Sequence, residues 1–356
     1  MTEPSTTTHS INLCNQRVMN IDIWTCPLTN EQQIVLIDLW RTEWTRTDYG
    51  WIESMRGDYA DTLTIQSIVG YIDGEPAGTA SVCFARVQPE VATIGSVLTH
   101  ARFRRLGVAE HLTNLATKLA IEAGCRTVYL GATRSPKCVY LKCGFQWHNG
   151  GVMRYVSNSH DTPERDFYAP GQQTTLRDAQ WGDLPAFACL VTQPIDTVVL
   201  DYPRGLVSGK YVTLQRCVSN FPSVYNAVRD SDGVMCMLVG EVPNRVLGFG
   251  SVTPGQRPAR RHTATLDLAV HDHYAANSSC LLDNLLGIAD RLEIKCIESI
   301  IADADTHKRD LLKAAHFQPI ARLSDKLMLQ DQLASVQVWA LKNQTAKNQH
   351  HRDPCG

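Results

Sequence analysis

The run Val97-Leu98-Thr99-His100-Ala101-Arg102-Phe103-Arg104-Arg105-Leu106-Gly107-Val108-Ala109 constrains this chain more than any other. It begins as an alternating apolar stretch, breaks into an Arg/Gly turn and then takes up helical spacing. That is strand, tight loop and helix start in direct succession. Successive backbone N–H groups in such a turn point the same way, and the N-terminus of the helix behind it adds its partial positive charge. A pocket of this kind suits a diphosphate, so a diphosphate-bearing ligand is the first expectation. The alternative is an ordinary surface turn before a helix.

A chain of 356 residues exceeds the usual single-domain size, which predicts two domains of about 100 to 200 residues each. The formal net charge of −2 leaves no basic excess to neutralise a nucleic-acid backbone, so nucleic acid is not an expected partner. The 12 cysteines are scattered and form no Cys-x-x-Cys pair, as expected of reduced, mostly buried thiols. Met1 to Asn20 lacks a basic start followed by an apolar core, and no run approaches the ~20 apolar residues of a membrane span. The expectation is a soluble, cytoplasmic protein with no membrane contact, monomeric or homodimeric.

Residues 1–20 are polar and read as a flexible arm. Gln32 to Trp44 carries Ile34, Val35, Ile37, Leu39 and Trp40 at helical spacing, and Trp44 to Trp51 reads as an exposed loop between two helices. Thr64 to Ile72 alternates as a strand, Asp73-Gly74 is a strong hairpin signal, and Ala77 to Arg86 returns as the second strand. Ala92 to Thr99 is a third strand leading into the Arg/Gly turn. Val108 to Ala123 places Val108, Leu112, Leu115, Leu119 and Ile121 near one helix face, and Gly124 stops it. A strand at Thr127 to Leu130, a short helix from about Pro136 to Lys142 and a hairpin opened by Gly144-Phe145 end a mixed α/β domain near Val156.

Residues 157–171 have linker composition. The second half then repeats the plan: strand at Thr175 to Arg177, helix at Asp183 to Val191, hairpin strands at Val234 to Gly240 and Val246 to Val252, strand at Thr265 to Val270. Helix at Cys280 to Leu292, strand at Ile297 to Ile301 and short helix at Arg309 to Ala315 complete it. The period of about 170 residues is too long for a solenoid, so two copies of one domain, 21–156 and 172–330, with a tail at 331–356, is the economical organisation.

Arg104, Gly107 and Ala109 match Arg/Gln-x-x-Gly-x-Gly/Ala, and Tyr140, Gly144 and Phe145 match a later Tyr-x-x-x-Gly-Phe; together they resemble the acyl-CoA site of the GNAT superfamily of N-acyltransferases. The resemblance covers residues 20–156 well and 172–330 in outline. It implies two tandem GNAT-like domains, each a mostly antiparallel twisted sheet flanked by helices. It departs at Ala101, where relatives commonly carry Pro, and in the second copy, where Val270-His271-Asp272-His273-Tyr274-Ala275-Ala276-Asn277-Ser278-Ser279 replaces the turn. Without a glycine to admit a phosphate, and with Asp272 adding negative charge, that copy reads as degenerate.

The resemblance implies that Arg104, Arg105, Leu106, Gly107, Val108 and Ala109 wrap the pyrophosphate of acetyl-CoA. It implies that the main chain of Val97, Leu98 and Thr99 pairs with the pantetheine amides. Tyr140 would then protonate the departing thiolate, a phenol of ordinary pKa ~10 being a fit donor; a core tyrosine with a satisfied hydroxyl is the alternative. Cys143 reads as packing, because direct transfer needs no acyl-enzyme. Many relatives carry a Glu on the strand that here reads Ala92 to Val97, which has no carboxylate. Asp48, Glu53 and His100 are candidate bases, with a hydrogen-bonded residue at a strand end as the better reading of His100.

Trp40, Trp44, Tyr49 and Trp51 lie where GNAT relatives shape the acceptor pocket. With Asp48, Glu43 and Glu53 they suit an amine acceptor, small molecule or peptide; a pair of core tryptophans explains part of the set. Asp48, Tyr49 and Trp51 are the acceptor residues expected to be most exposed. His271, Asp272 and His273 supply at most part of a metal shell, and a polar loop capping a helix from about Ser278 is the better reading, so no metal is expected. The leading expectation is an N-acetyltransferase acting on a primary amine. A non-catalytic acyl-CoA sensor or scaffold, and an acyl-CoA decarboxylase or hydrolase on the same fold, are the competitors.

Overall fold

The computed structural model describes residues 6–14, 16–44, 51–132, 137–149, 151–157, 163–200, 221–242, 244–329 and 332–342. The first copy runs β1 (Thr6–Asn12), β2 (Val18–Thr25), α1 (Asn30–Arg41), α2 (Trp51–Arg56), β3 (Leu63–Ile72), β4 (Glu75–Ala85), β5 (Val91–Thr99), α3 (Val108–Glu122), β6 (Thr127–Gly131), α4 (Lys137–Lys142), β7 (Gln146–Trp147) and β8 (Val152–Val156). After α5 (Pro163–Phe167), the second runs β9 (Thr175–Asp178), α6 (Leu184–Thr192), α7 (Phe221–Arg229), β10 (Val234–Val239), β11 (Val246–Pro254), β12 (Thr263–Val270), α8 (Ser278–Arg291), β13 (Cys296–Ala302), α9 (Thr306–Ala314), β14 (Gln318–Leu329) and β15 (Gln332–Lys342).

Local chemistry accounts for many of these elements. Thr29 and Gln32 close a capping box on α1, with Gln32 N donating to Thr29 Oγ1 at 3.3 Å and Thr29 N to Gln32 Oε1 at 3.0 Å. Asp73 and Gly74, at φ +53° and +81°, make the left-handed turn between β3 and β4. α3 buries Val108, Leu112, Ala116 and Ala120 at four-residue spacing, with Thr113 and Thr117 beside them. Leu115, Leu119 and Ile121 flank this stripe half-buried, because small residues let the helix lie close against the sheet.

The first sheet has the order β1-β2-β3-β4-β5-β6-β8-β7 and the second β14-β15-β13-β12-β11-β10-β9. Read from its other end, the second is β9-β10-β11-β12-β13-β15-β14, which matches β2 through β7 of the first strand for strand. In both, the strand before the long helix pairs in parallel with the strand after it: β5 with β6 from Val91 to Ile94, and β12 with β13 from Thr263 to Thr265. Both pairs then part. This is the mixed α/β, tandem architecture the sequence predicts.

Three expected irregular segments are ordered instead. Residues 6–12, expected in a flexible arm, form β1 and pair with β2 from Thr6↔Trp24 to Asn12↔Val18. The expected linker holds α5 and sends Phe167 and Tyr168, 3% and 2% exposed, into the core. The expected tail contains β15, which lies inside the second sheet between β14 and β13.

The two halves also share one core. All nine residues of α6 are buried, as expected of a helix apolar on every face. It touches β4, β5 and β6 of the first sheet and β11 of the second. Around it, Tyr59 stacks on Trp181 with ring centroids 4.0 Å apart, and Gly182 N donates to Thr62 Oγ1 at 3.2 Å. A Cβ on Gly182 would meet Thr62 O at 2.7 Å, so this approach requires glycine. Arg245 grips Glu90 with Nε and Nη2, at 2.5 and 2.7 Å, while Arg126 Nη2 reaches the same carboxylate at 2.6 Å.

Candidate active site

β5 carries the local departure that shapes this site. Thr79 of β4 lies opposite Leu98 and Ser81 opposite Gly95, so β5 holds an extra residue between them, a β-bulge. Ser96 takes a left-handed φ of +51° there. Beside the bulge, Ile65, Ser81, Cys83, Thr93, Ile94 and Gly95 line a shallow cleft, and a Cβ added to Gly95 would meet nothing within 4 Å. Leu98 points instead into a cluster with Trp24, Leu36, Leu39 and Trp40.

Past Thr99 the chain makes a single 3-10 turn, Ala101–Phe103, whose N-cap His100 accepts from Arg102 N through Nδ1 at 3.3 Å. This bond engages Nδ1 of His100 at the strand end. Phe103 is buried, and Arg104 and Arg105 are exposed. Arg105 at φ +66° and Gly107 at φ +86° turn the chain into α3, whose N-cap is Gly107 with no side-chain cap. Gly107 has room for a Cβ, the nearest atom being His111 Cδ2 at 3.6 Å, so its φ and not crowding calls for glycine. The bend leads directly into the uncapped first turn of α3, and the Arg104 amide before it donates to Ala101 O at 3.4 Å. Arg104 is more occupied than expected: it pairs with Glu43 and donates from Nε to Thr99 O at 3.4 Å.

Tyr140 sits on α4, buried in the cluster that holds Phe103, Val108 and Leu112, edge-on to Phe145 with centroids 6.4 Å apart. Its neighbour Cys143 is packed, with Sγ 3.6 Å from Glu110 O, and burial, then the Glu110 charge, pushes its thiol up to about 11. Glu53 is engaged elsewhere: the Tyr59 hydroxyl, 2.6 Å from Oε2, and then Arg229, 3.3 Å from Oε1, hold its carboxyl below the usual range. Trp40 is a core residue, while Trp44 is 36% exposed. Trp51 opens α2, and Asp48 and Tyr49 lie outside the described residues.

Register makes the second copy an internal comparison. Gly78 opposes Thr99 before His100, and Gly248 opposes Val270 before His271; each histidine accepts from the amide two residues on at 3.3 Å. Ser251 opposes Asp267 where Ser81 opposes Gly95, so Asp267 stands in the place of Gly95. Phe317 N donates to Leu312 O as Phe145 N does to Tyr140 O, both at 3.0 Å, so Leu312 stands in the place of Tyr140. No register shift interrupts β11 and β12.

Where the first copy has Gly95, the second holds a buried ion pair made within its own chain. Lys308 Nζ binds Asp267 Oδ1 at 2.6 Å and Val198 O at 2.9 Å, and Val198 N donates to Asp305 Oδ2 at 3.0 Å. Its turn is covered as well: His273 Nδ1 meets Tyr168 O at 2.8 Å, the Tyr274 hydroxyl donates to Ala169 O, and His271 stacks on Tyr168. α8 is capped at Asn277 without a side-chain bond, and Ser278 Oγ contacts His307 Nε2 at 3.2 Å, so the expected serine cap is not formed.

Residues 33–145 match the model of the acetyltransferase (GNAT) family. Similar solved structures include a GNAT-family acetyltransferase from Streptococcus pneumoniae (14% identity, TM-score 0.40, covering 48% of this chain and 100% of that one). Others are an N-acetyltransferase from Staphylococcus aureus Mu50 (15%, 0.40, 48% and 98%) and a Salmonella typhimurium protein described as an acetyltransferase and solved with acetyl-CoA (15%, 0.40, 51% and 99%). A search of curated proteins found no match. The bulged strand, the left-handed bend and Tyr140 all lie within the segment that matches the acetyltransferase (GNAT) family.

Proposed function

We propose that the first copy is an N-acetyltransferase that moves the acetyl group of acetyl-CoA to a primary amine in a ternary complex. The observation that carries this reading is the uncapped start of α3 behind the left-handed Arg105 and Gly107, on a strand whose Gly95 has open space around it where the second copy carries Asp267 bound to Lys308. In this reading amides of residues 105–109 hold the pyrophosphate with the Arg104 side chain adding charge beside them, and the main chain of Val97, Leu98 and Thr99 meets the pantetheine. The neutral amine attacks the thioester carbonyl, whose developing negative charge is met by main-chain N–H near Leu98. The C–S bond then breaks and Tyr140 gives its proton to the leaving thiolate, while the amine proton passes to water. Asp48, Tyr49 and Trp51 belong to this reading as contacts to a cationic acceptor. A reducing, cytoplasmic setting fits the free, buried Cys83, Cys125, Cys143, Cys189 and Cys236.

A non-catalytic acyl-CoA binder is favoured by one feature: among the described residues, the cleft at Gly95 is lined by no carboxylate or imidazole. Calorimetry of the full chain with acetyl-CoA, followed by mass spectrometry of an amine library incubated with both, separates the readings. Binding with an acetylated amine supports transfer. Binding with every amine unchanged leaves the sensor, and no binding ends both.

A further inference from the structure

Thr79 is wholly buried on β4, and its hydroxyl is used twice. Trp40 Nε1 donates to Thr79 Oγ1 at 3.2 Å, and Thr79 Oγ1 lies 2.7 Å from Ser96 O. An indole nitrogen can only donate, so the direction of both bonds is settled: the hydroxyl accepts from Trp40 and donates to the Ser96 carbonyl. Ser96 is the left-handed residue of the β5 bulge, a conformation that a serine holds only where its surroundings oblige it. The chain Trp40, Thr79, Ser96 thus links α1 to the point where β5 leaves its regular ladder.

The second copy supplies the control. By register, Phe249 occupies the position of Thr79, opposite Ala269 as Thr79 is opposite Leu98. There the ladder runs unbroken from Pro254↔Ala264 to Gly248↔Val270. Hydroxyl and bulge are present together in one copy and absent together in the other.

We propose that Thr79 is a positioning residue for acetyl transfer: by holding the Ser96 carbonyl it sets the bulge, and the bulge presents the peptide groups of Val97 and Leu98 to the thioester. Its importance for rate rests on the transfer reading above. The bond to a buried carbonyl has no substitute in an apolar side chain of the same shape, whereas serine keeps it.

The test compares full-length wild type with Thr79→Val, Thr79→Ser and Trp40→Phe, reading steady-state transfer with acetyl-CoA and an acceptor amine, and hydrogen exchange at the Val97, Leu98 and Thr99 amides. Thr79→Val should lower kcat at least tenfold with KM for acetyl-CoA changed by less than about threefold, and speed exchange at those amides. Thr79→Ser should restore both, and Trp40→Phe should fall between. Wild-type kcat and exchange in Thr79→Val overturn the proposal, as does an equal loss in Thr79→Ser. If Thr79→Val does not fold, the Thr79→Ser and Trp40→Phe pair decides: unchanged exchange in Trp40→Phe, or loss in Thr79→Ser, overturns it. A wild type that transfers nothing sinks the function reading alone, and the exchange measurements then judge the clamp.

Discussion

Lys308 meets Asp267 at 2.6 Å on the strand position that Gly95 occupies, empty of side chain, in the first copy. The second copy therefore carries a carboxylate on the strand where the first has none, yet it is neutralised and buried, 3% exposed.

This pair predicts one acetyl-CoA site per chain. Calorimetry should return a stoichiometry near one, and two equal sites would contradict it. Lys308→Met should destabilise the chain by about 3–5 kcal/mol in urea unfolding, because buried Asp267 loses its ammonium partner and Asp305, 3.8 Å from the same nitrogen, loses it too. Adding Asp267→Leu to Lys308→Met should recover much of that loss.

Gly107→Val forces a β-branched residue into φ +86° at the start of α3. The strain should cost about 1–3 kcal/mol of stability. Acetyl-CoA affinity should fall by more than the melting shift accounts for, and unchanged calorimetric binding would remove this bend from the site.

Tyr140→Phe keeps the ring that packs against Phe145 and removes only the hydroxyl. Loss of a general acid should lower kcat by about 10²- to 10⁴-fold with little change in KM for acetyl-CoA. Full activity in this variant would make Tyr140 a core residue only.

Arg245→Ala removes the two-pronged grip on Glu90 that joins the copies. Burial raises the Glu90 carboxyl, but the Arg245 hydrogen bond and charge, then Arg126, outweigh it and hold it below its usual range. The substitution should cost about 1.5–3 kcal/mol in urea unfolding, and Arg245→Lys should recover only part, since an ammonium cannot make the fork. A neutral Arg245→Ala would show the grip to be dispensable.

Two half-buried histidines set an acid sensitivity. His148 is pushed down from 6.5 to about 4, first by burial and then by the Arg154 charge, and His271 likewise to about 4, by burial and then His273. Below pH 6.5 the unfolded chain takes up protons that the folded one refuses, so stability is full above about pH 6.5 and declines as pH falls toward 4. His148→Gln and His271→Gln should each flatten the melting temperature across this window. Unaltered slopes in both would assign the acid sensitivity to other groups.

The first copy was legible because its signals are local. Asp73-Gly74 demands a left-handed turn wherever it lies, Gly107 and Gly124 bracket one helix, and apolar runs between turn signals mark β3 to β5, although β4 is buried along nine consecutive residues. A signal for the bulge was also present, since Gly95-Ser96 interrupts an apolar strand, but its hydroxyl clamp comes from β4 and α1. The helical stripe of α3 was placed on its leucines, whereas packing chose Ala116 and Ala120 for the closest approach.

The repeated order of strands and helices, the bend from Arg104 to Ala109 and the loss of that bend in the second copy are all readable along the chain. The pairing of residues 6–12 along β2, the place of β15 within a sheet, the contact of α6 with both sheets and the meeting of Lys308 with Asp267 emerge only from the folded molecule. Turns and periodicity are paid out over a few neighbouring residues, so they can be read in place. Strand insertion, shared burial and a buried ion pair depend on partners far along the chain, such as Lys308 and Asp267, whose meeting exists only once the fold has formed.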